Sequence, residues 1–172
     1  MATPTSLPAT FVAGNVLTAA QMNDLRGAFR ILQVASTTKT DQFSTTSTSF
    51  VDATGLSVSI TPTAATSKVF VIVTGLTRVS AANQAIRMNL VRDSTDIAQS
   101  TGGSSLNQTI YIGGAVNARN YTATLLDSPA TTSATTYKLQ VASTGGGATV
   151  YLNETTATVG AISTITVMEV SA

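Results

Sequence analysis

The chain of 172 residues contains no cysteine, no histidine and no tryptophan. Disulfides and catalytic thiols are therefore excluded, as are Cys/His zinc sites, haem with a Cys or His axial ligand, and every Ser-His triad. Charge is scarce too. Lys, Arg, Asp and Glu make up 10% of the residues, against about 25% in ordinary soluble domains. The net charge of +1 provides no basic field to attract nucleic acid. Aromatics are 5% of the chain and are not interleaved with clustered cations, as single-strand binding would require. Apolar runs are short. Val69-Phe70-Val71-Ile72-Val73 is among the longest, far below the ~20 residues of a spanning helix, so no membrane insertion is expected. Met1 to Pro8 has neither a basic n-region nor an apolar h-region. No secretory signal is expected, and synthesis in a cytosol is.

Hydroxyls take the place of charges. Ser and Thr together are about 29% of the residues, and Thr, being β-branched, favours strand over helix. Weak self-repulsion lets such a surface pack closely against other subunits. The composition reads as assembly-prone, not enzyme-like. The length fits one compact domain with a terminal appendage, large enough to bury a core.

The chain divides near Val34, into an arm and helix over 1–34 and a β domain over 35–172. Thr18-Ala19-Ala20-Gln21 has capping-box spacing, and Leu17 and Met22 occupy the positions of a hydrophobic staple. Met22, Leu25, Phe29 and Leu32 then follow at steps of three, four and three, which predicts one amphipathic helix with a single apolar stripe. Two heptads are too short to hold a coiled coil alone. Leu17, Met22, Leu25, Phe29 and Leu32 are thus candidate assembly or anchoring residues, and self-docking on the β domain is the competing use of the same stripe.

Everything beyond Val34 reads as strands. Leu56, Val58 and Ile60 alternate with hydroxyls until Pro62. Lys68 to Val73 is apolar on both faces, as a central strand should be. Alternation recurs at Ile86-Met88-Leu90, Tyr121-Ala123-Leu125 and Tyr137-Leu139-Val141. Thr109 to Ile112, Val150-Leu152 and Ile162 to Val170 complete the set. Phe43, Phe50 and Val51 give the Thr/Ser-rich stretch 37–49 a strand-plus-loop character. Turn residues between short strands argue for an all-β antiparallel sandwich or barrel.

Little in the chain points to chemistry. Asp93 and Asp96 are the closest carboxylate pair, in Arg92-Asp93-Ser94-Thr95-Asp96. That pattern suits a polar hairpin turn better than a cation site or a glycosidase pair. Glu154 and Glu169 lie in or beside strands, and read as facing solvent or a subunit in preference to being buried functional acids. Arg87 and Arg92, five apart, face opposite sides of one strand. Gly102-Gly103, Gly113-Gly114 and Gly145-Gly146-Gly147 lack the strand–helix context and Lys-Ser/Thr of a phosphate loop and read as turns or bulges. The Asn-x-Thr triplets at Asn107, Asn120 and Asn153 are chance matches in a Thr-rich chain. No catalytic residue, metal site or cofactor is implied.

Phe11-Val12-Ala13-Gly14-Asn15-Val16-Leu17-Thr18-Ala19-Ala20-Gln21-Met22-Asn23 resembles the N-terminal segment of many small tailed-phage virion proteins. Thr45 to Gly55, Asp127-Ser128-Pro129, Thr136 to Val141 and Ser163 to Val170 are similar to the body of the same group. The resemblance implies a jelly-roll-like β-sandwich, often trimeric, carried on a phage particle. The expected role is a non-enzymatic virion protein made in the host cytoplasm, a tail-fibre or tail-tip appendage. Its expected partners are its own copies in a homotrimer, other virion proteins through the N-terminal segment, and a glycan or protein of the host surface. A capsid decoration or head fibre is the alternative. A carbohydrate-processing virion enzyme is a third reading, opposed by the scarcity of carboxylates and aromatics.

The lack of soft ligands yields a direct expectation. Asp93 and Asp96 offer too few oxygens for the six to eight that calcium takes. Millimolar calcium or a chelator should leave the melting temperature unchanged. A rise of several degrees with calcium would contradict this.

Overall fold

The computed structural model describes residues 31–98, 118–145, 147–154 and 160–171, the backbone of 108–112, and Val16, Thr18 and Ala19. Eleven strands lie among the described residues: β1 (Ile31–Lys39), β2 (Phe43–Thr45), β3 (Val51–Ile60), β4 (Lys68–Val79), β5 (Gln84–Arg92), β6 (Thr95–Asp96), β7 (Gln108–Ile112), β8 (Arg119–Asp127), β9 (Thr135–Ser143), β10 (Val150–Leu152) and β11 (Ser163–Val170). The protein is all-β, and every strand pairing is antiparallel.

Two sheets result. In the first, β4 is central. β8 pairs with Val69 to Thr77 along one edge, and β11 followed by β10 occupies the other. β1 lies outside β11, and β2 outside β10. β10 and β11 are therefore two parts of one line, as are β1 and β2. In the second sheet β9 lies between β3 and β5, while β6 and β7 share the far edge of β5.

Period-two alternation places the core between the sheets. Leu56, Val58 and Ile60 of β3, Ile86, Met88 and Leu90 of β5, and Tyr137, Leu139 and Val141 of β9 meet Val69, Val71, Val73, Ile165 and Val167 of the first sheet. Burying each such side chain contributes roughly 1.5–3 kcal/mol, so the alternation that shapes the strands also joins the sheets. β3 carries a bulge between Asp52 and Ser57. Gly55 within it has a φ of 84°, a conformation in which a side chain is strained, and the Lys39 side chain runs alongside.

The interrupted strands leave backbone groups that need partners. Asn153, fully buried at a φ of 52°, supplies them. Its Nδ2 donates to the Lys39 carbonyl at 2.9 Å and the Asp41 carbonyl at 3.5 Å, and its Oδ1 accepts from Ser163 Oγ at 2.7 Å. The Tyr121 hydroxyl donates to Ser163 Oγ at 3.1 Å. Burial pushes the Tyr121 phenol up to about 12, and the bond to Ser163 offsets this only in part. Gly75 makes room for the cluster. A Cβ there would lie 2.0 Å from Ser163 Oγ and 2.7 Å from the Tyr121 hydroxyl.

A second polar cluster ties the sheets together at their other end. Arg92 of β5 donates to both carboxylate oxygens of Asp127 of β8, at 2.7 and 2.8 Å. The Tyr137 hydroxyl of β9 donates to the same carboxylate at 2.7 Å. The hydrogen bond to Asp127 holds the Arg92 pKa above its usual value, and burial reinforced by Asp127 pushes the Tyr137 phenol well up.

The N-terminal expectations need one correction. Leu17, Met22, Leu25 and Phe29, and with them the expected helix, lie outside the described residues. Leu32 does not belong to a helical stripe. It lies in β1, at an irregularity between Ile31, which pairs with Val170, and Gln33, which pairs with Glu169. Ladder pairing with β11 outweighs the helical spacing here, because Ile31, Val34, Thr37 and Thr38 are β-branched and favour an extended chain. The boundary at 34/35 accordingly falls inside a strand.

Gly75→Ala should lower stability by about 1–3 kcal/mol, because the added methyl must displace Ser163 or Tyr121 within a packed interior. Gly160→Ala is the control, since nothing lies within 4 Å of a Cβ at that position. Thermal melts of the two variants test this. Equal melting temperatures would contradict the role given to Gly75.

Candidate assembly surface

Side chains that point away from the core on the first sheet form rows across four strands. One row is apolar throughout: Val34 of β1, Met168 of β11, Phe70 of β4 and Leu126 of β8 are successive register partners. Val34 is 57% exposed and Leu126 56%, while Phe70 and Met168 are half-buried. Ile31, also 56% exposed, extends the apolar area at one end, and Ile72 extends it on the next row beside Ser36, Thr166 and Thr124. The row after that is threonine on every strand, Thr38, Thr164, Thr74 and Thr122. Its central hydroxyls, Thr74 and Thr164, are 3.0 Å apart, and Ser36 and Thr166 on the row before are 2.8 Å apart.

Ionic groups stand at the two ends of this face and not within it. Lys68 reaches the Ser128 hydroxyl at 2.7 Å. Arg78 pairs with Glu154 and stands over the Tyr151 ring, 5.6 Å from its centre. Near the interrupted strands a groove of about 530 Å³ runs past Thr74, Leu76, Asn120, Thr122 and Ile162, with Tyr121 at its floor. Its lining is hydroxyl, amide, phenol and aliphatic.

The outer face of the second sheet differs. There Asp52 accepts from Lys138 at 2.8 Å and Gln140 at 2.7 Å, and Asn89 donates to Gln140 at 3.3 Å and Asp96 at 2.6 Å. The bonds from Lys138 and Gln140 hold the Asp52 carboxyl below its ordinary range. Arg87 stacks over Phe50 at 5.3 Å and donates to the Thr48 and Ser143 carbonyls. Most polar groups on this face satisfy one another, but Arg87 Nε and Asn89 Oδ1 are buried without a partner among the described residues.

The structure places the other sequence-selected residues as follows. Asp93 and Ser94 form the β5–β6 hairpin turn, with Asp93 at a φ of 53° and its carboxylate accepting from the Thr136 amide at 2.8 Å. Asp96 lies in β6 and accepts from Asn89, so the two carboxylates take separate partners. Arg92 reaches Asp127 and Arg87 reaches Phe50, on opposite sides of β5 as expected. Asn153 is fully buried, which leaves no room for a glycan there. Gly102-Gly103, Gly113-Gly114 and Asn107 lie outside the described residues.

Glu169 is a correction. It faces the interior, fully buried, and not solvent or a subunit. Parity along β11 sets it on the side of Ile165 and Val167. Its carboxylate is satisfied by neutral donors: Oε1 accepts from the Thr63 amide and hydroxyl, both at 2.7 Å, and Oε2 from Gln33 Nε2 at 2.6 Å. Burial alone would raise its pKa, but the bonds from Gln33 and Thr63 win and hold it below 4.5. Glu169 thereby straps the turn after β3 and the start of β1 to β11.

The apolar row was not singled out from sequence, although a signal for it exists. Phe70 and Ile72 interleave with Val69, Val71 and Val73, so β4 needs cover on both faces. Met168 and Val170 repeat the pattern beside Val167. Among known proteins, no family model matches this chain and no curated protein does.

The depressed Glu169 pKa fixes the sign of a pH effect. Its contribution is present above the unfolded value, near 4.5, and is lost as pH falls through the lower folded value. Glu169→Gln retains the shape but sets an amide donor against donors. The variant should lose about 1–3 kcal/mol at pH 7 and show a shallower decline in melting temperature between pH 5 and 3. Wild-type behaviour at both pH values would contradict the strap.

Proposed function

We propose that this chain is a non-enzymatic structural protein of a phage particle, a trimeric tail-fibre or tail-tip appendage with a jelly-roll β body. The strand order is the observation that carries the fold part of this reading. Taking each collinear pair (β1/β2, β6/β7, β10/β11) as one strand turns the eleven elements into eight. Numbered along the chain, the eight are ordered 1-8-3-6 in one sheet and 2-7-4-5 in the other. The same order arises when a ribbon pairing 1 with 8, 2 with 7, 3 with 6 and 4 with 5 is rolled into an eight-stranded jelly roll, and this supports the jelly-roll reading.

The assembly part is supported by chemistry. A chain with 10% charged residues and net charge +1 meets its own copies with little repulsion, and the first sheet presents an apolar row to its outside. In this reading the N-terminal segment, carrying Leu17, Met22, Leu25 and Phe29, attaches the β body to other virion proteins. The β body trimerises and contacts a host-surface glycan or protein.

Counting copies of the chain on purified particles, by quantitative mass spectrometry against a known virion protein, tests the reading. A few trimers per particle are expected for a tail appendage, whereas hundreds of copies would place the chain on the capsid. Complete absence from the particles would overturn the proposal.

A further inference from the structure

We infer that the outer face of the β1–β11–β4–β8 sheet, centred on Val34, Met168, Phe70 and Leu126, is the surface through which one copy of this chain packs against a second copy. The inference deepens the trimer reading above and rests on it. The first argument is the partial exposure of this apolar area. Val34, Leu126 and Ile31 are each more than half exposed and lie side by side with Phe70 and Met168, as a contiguous patch and not as scattered single residues. The largest apolar patch of a monomer, about 300–600 Å², is often functional, and larger ones mark interaction sites. Three inter-strand gaps of about 4.8 Å and eight residues at about 3.4 Å give the whole face, apolar and hydroxyl rows together, a flat footprint on the order of 400 Å².

The lack of charge on this face selects the occupant. Between Lys68 and Arg78 the outward register partners on these four strands are apolar, hydroxyl or amide, and none is charged. A partner recognised by charge, such as an acidic protein surface, a nucleic acid or an anionic headgroup, finds nothing to pair with in these rows. An identical copy suffers no like-charge repulsion on the same face. The threonine row suits a copy of itself as well. A hydroxyl both donates and accepts, so hydroxyl rows can hydrogen-bond to each other, as two ammonium rows or two carboxylate rows cannot. An apolar centre with an uncharged hydroxyl rim is therefore self-complementary, and in a trimer three such faces turn towards the three-fold axis, each meeting both of its neighbours.

The footprint is smaller than the ~800 Å² of accessible surface that each partner gives to a standard interface. The apolar row must then form the centre of the contact, where truncation or charge is felt most. A lysine at Val34 or Leu126 would place an ammonium in that centre. Both positions are more than half exposed, so the substitutions leave the monomer fold intact.

The test is sedimentation velocity of the full chain at micromolar concentration, with circular dichroism as the folding check. The wild type should sediment as a trimer. Val34→Lys and Leu126→Lys should remain folded and lose the trimer, with at least a tenfold weaker association. Ile162→Lys, at a 59% exposed position off the row, should leave it unchanged. A wild-type trimer that survives both row substitutions overturns this inference and leaves the trimer reading standing. A monomeric wild type overturns both. A full-chain Phe29→Ser variant guards against a different occupant. If it dissociates the trimer while Leu126→Lys does not, the N-terminal segment holds the copies together and the copy-to-copy contact on this face is wrong.

Discussion

Strand β4 is apolar on both of its sides, and the requirement to cover both organises the molecule. Val69, Val71 and Val73 point one way and are fully buried beneath β3, β5 and β9. Phe70 and Ile72 point the other way, with Met168, Val34 and Leu126 beside them. Strands with apolar residues on both faces belong where both faces are covered. The second sheet covers one side. Among the described residues no third layer covers the other, which is the side proposed above for packing between copies.

Satisfying polar groups is the second requirement, and it acts where the strands are interrupted. A break in an outer strand exposes carbonyls in a place that water cannot easily reach, and an unpaired buried group costs about 1–3 kcal/mol. Asn153 closes one break by donating to the Lys39 and Asp41 carbonyls, and Ser163 and Tyr121 complete the chain of bonds. Gly75 is small because those groups occupy the space beside it. Arg92, Asp127 and Tyr137 act in the same way at the other end. Glu169 holds the turn after β3 against β1 and β11 with hydrogen bonds alone. These clusters pin the ends of a sandwich whose middle is held by aliphatic packing.

Much of the β body was legible along the chain because alternation is a local signal. Leu56-Val58-Ile60, Ile86-Met88-Leu90 and Tyr137-Leu139-Val141 each lie on a strand with those residues inward. The Asp93-Ser94 turn was readable for the same reason. Three features depend on what lies far away in sequence. Leu32 fits a helical stripe by spacing, yet pairing with β11, more than a hundred residues on, makes its segment a strand. Glu169 resembles a solvent-facing strand residue until Gln33 and Thr63 are placed over it. The apolar row needs register across four strands, which no single segment encodes. Its local traces are the double-sided character of Lys68 to Val73 and the same pattern at Met168 and Val170.

The central claim is that the outer side of β4 and its neighbours is covered when the protein assembles. Because the chain contains no cysteine, a single Thr124→Cys substitution places a unique thiol on that face, beside Ile72. The rate at which this thiol reacts with a small alkylating reagent, followed from nanomolar to high micromolar protein, reports directly on cover. The account predicts protection of tenfold or more as the protein assembles, with the free rate restored on dilution. An equal rate at both extremes, in a sample shown to be assembled at the higher one, would contradict it.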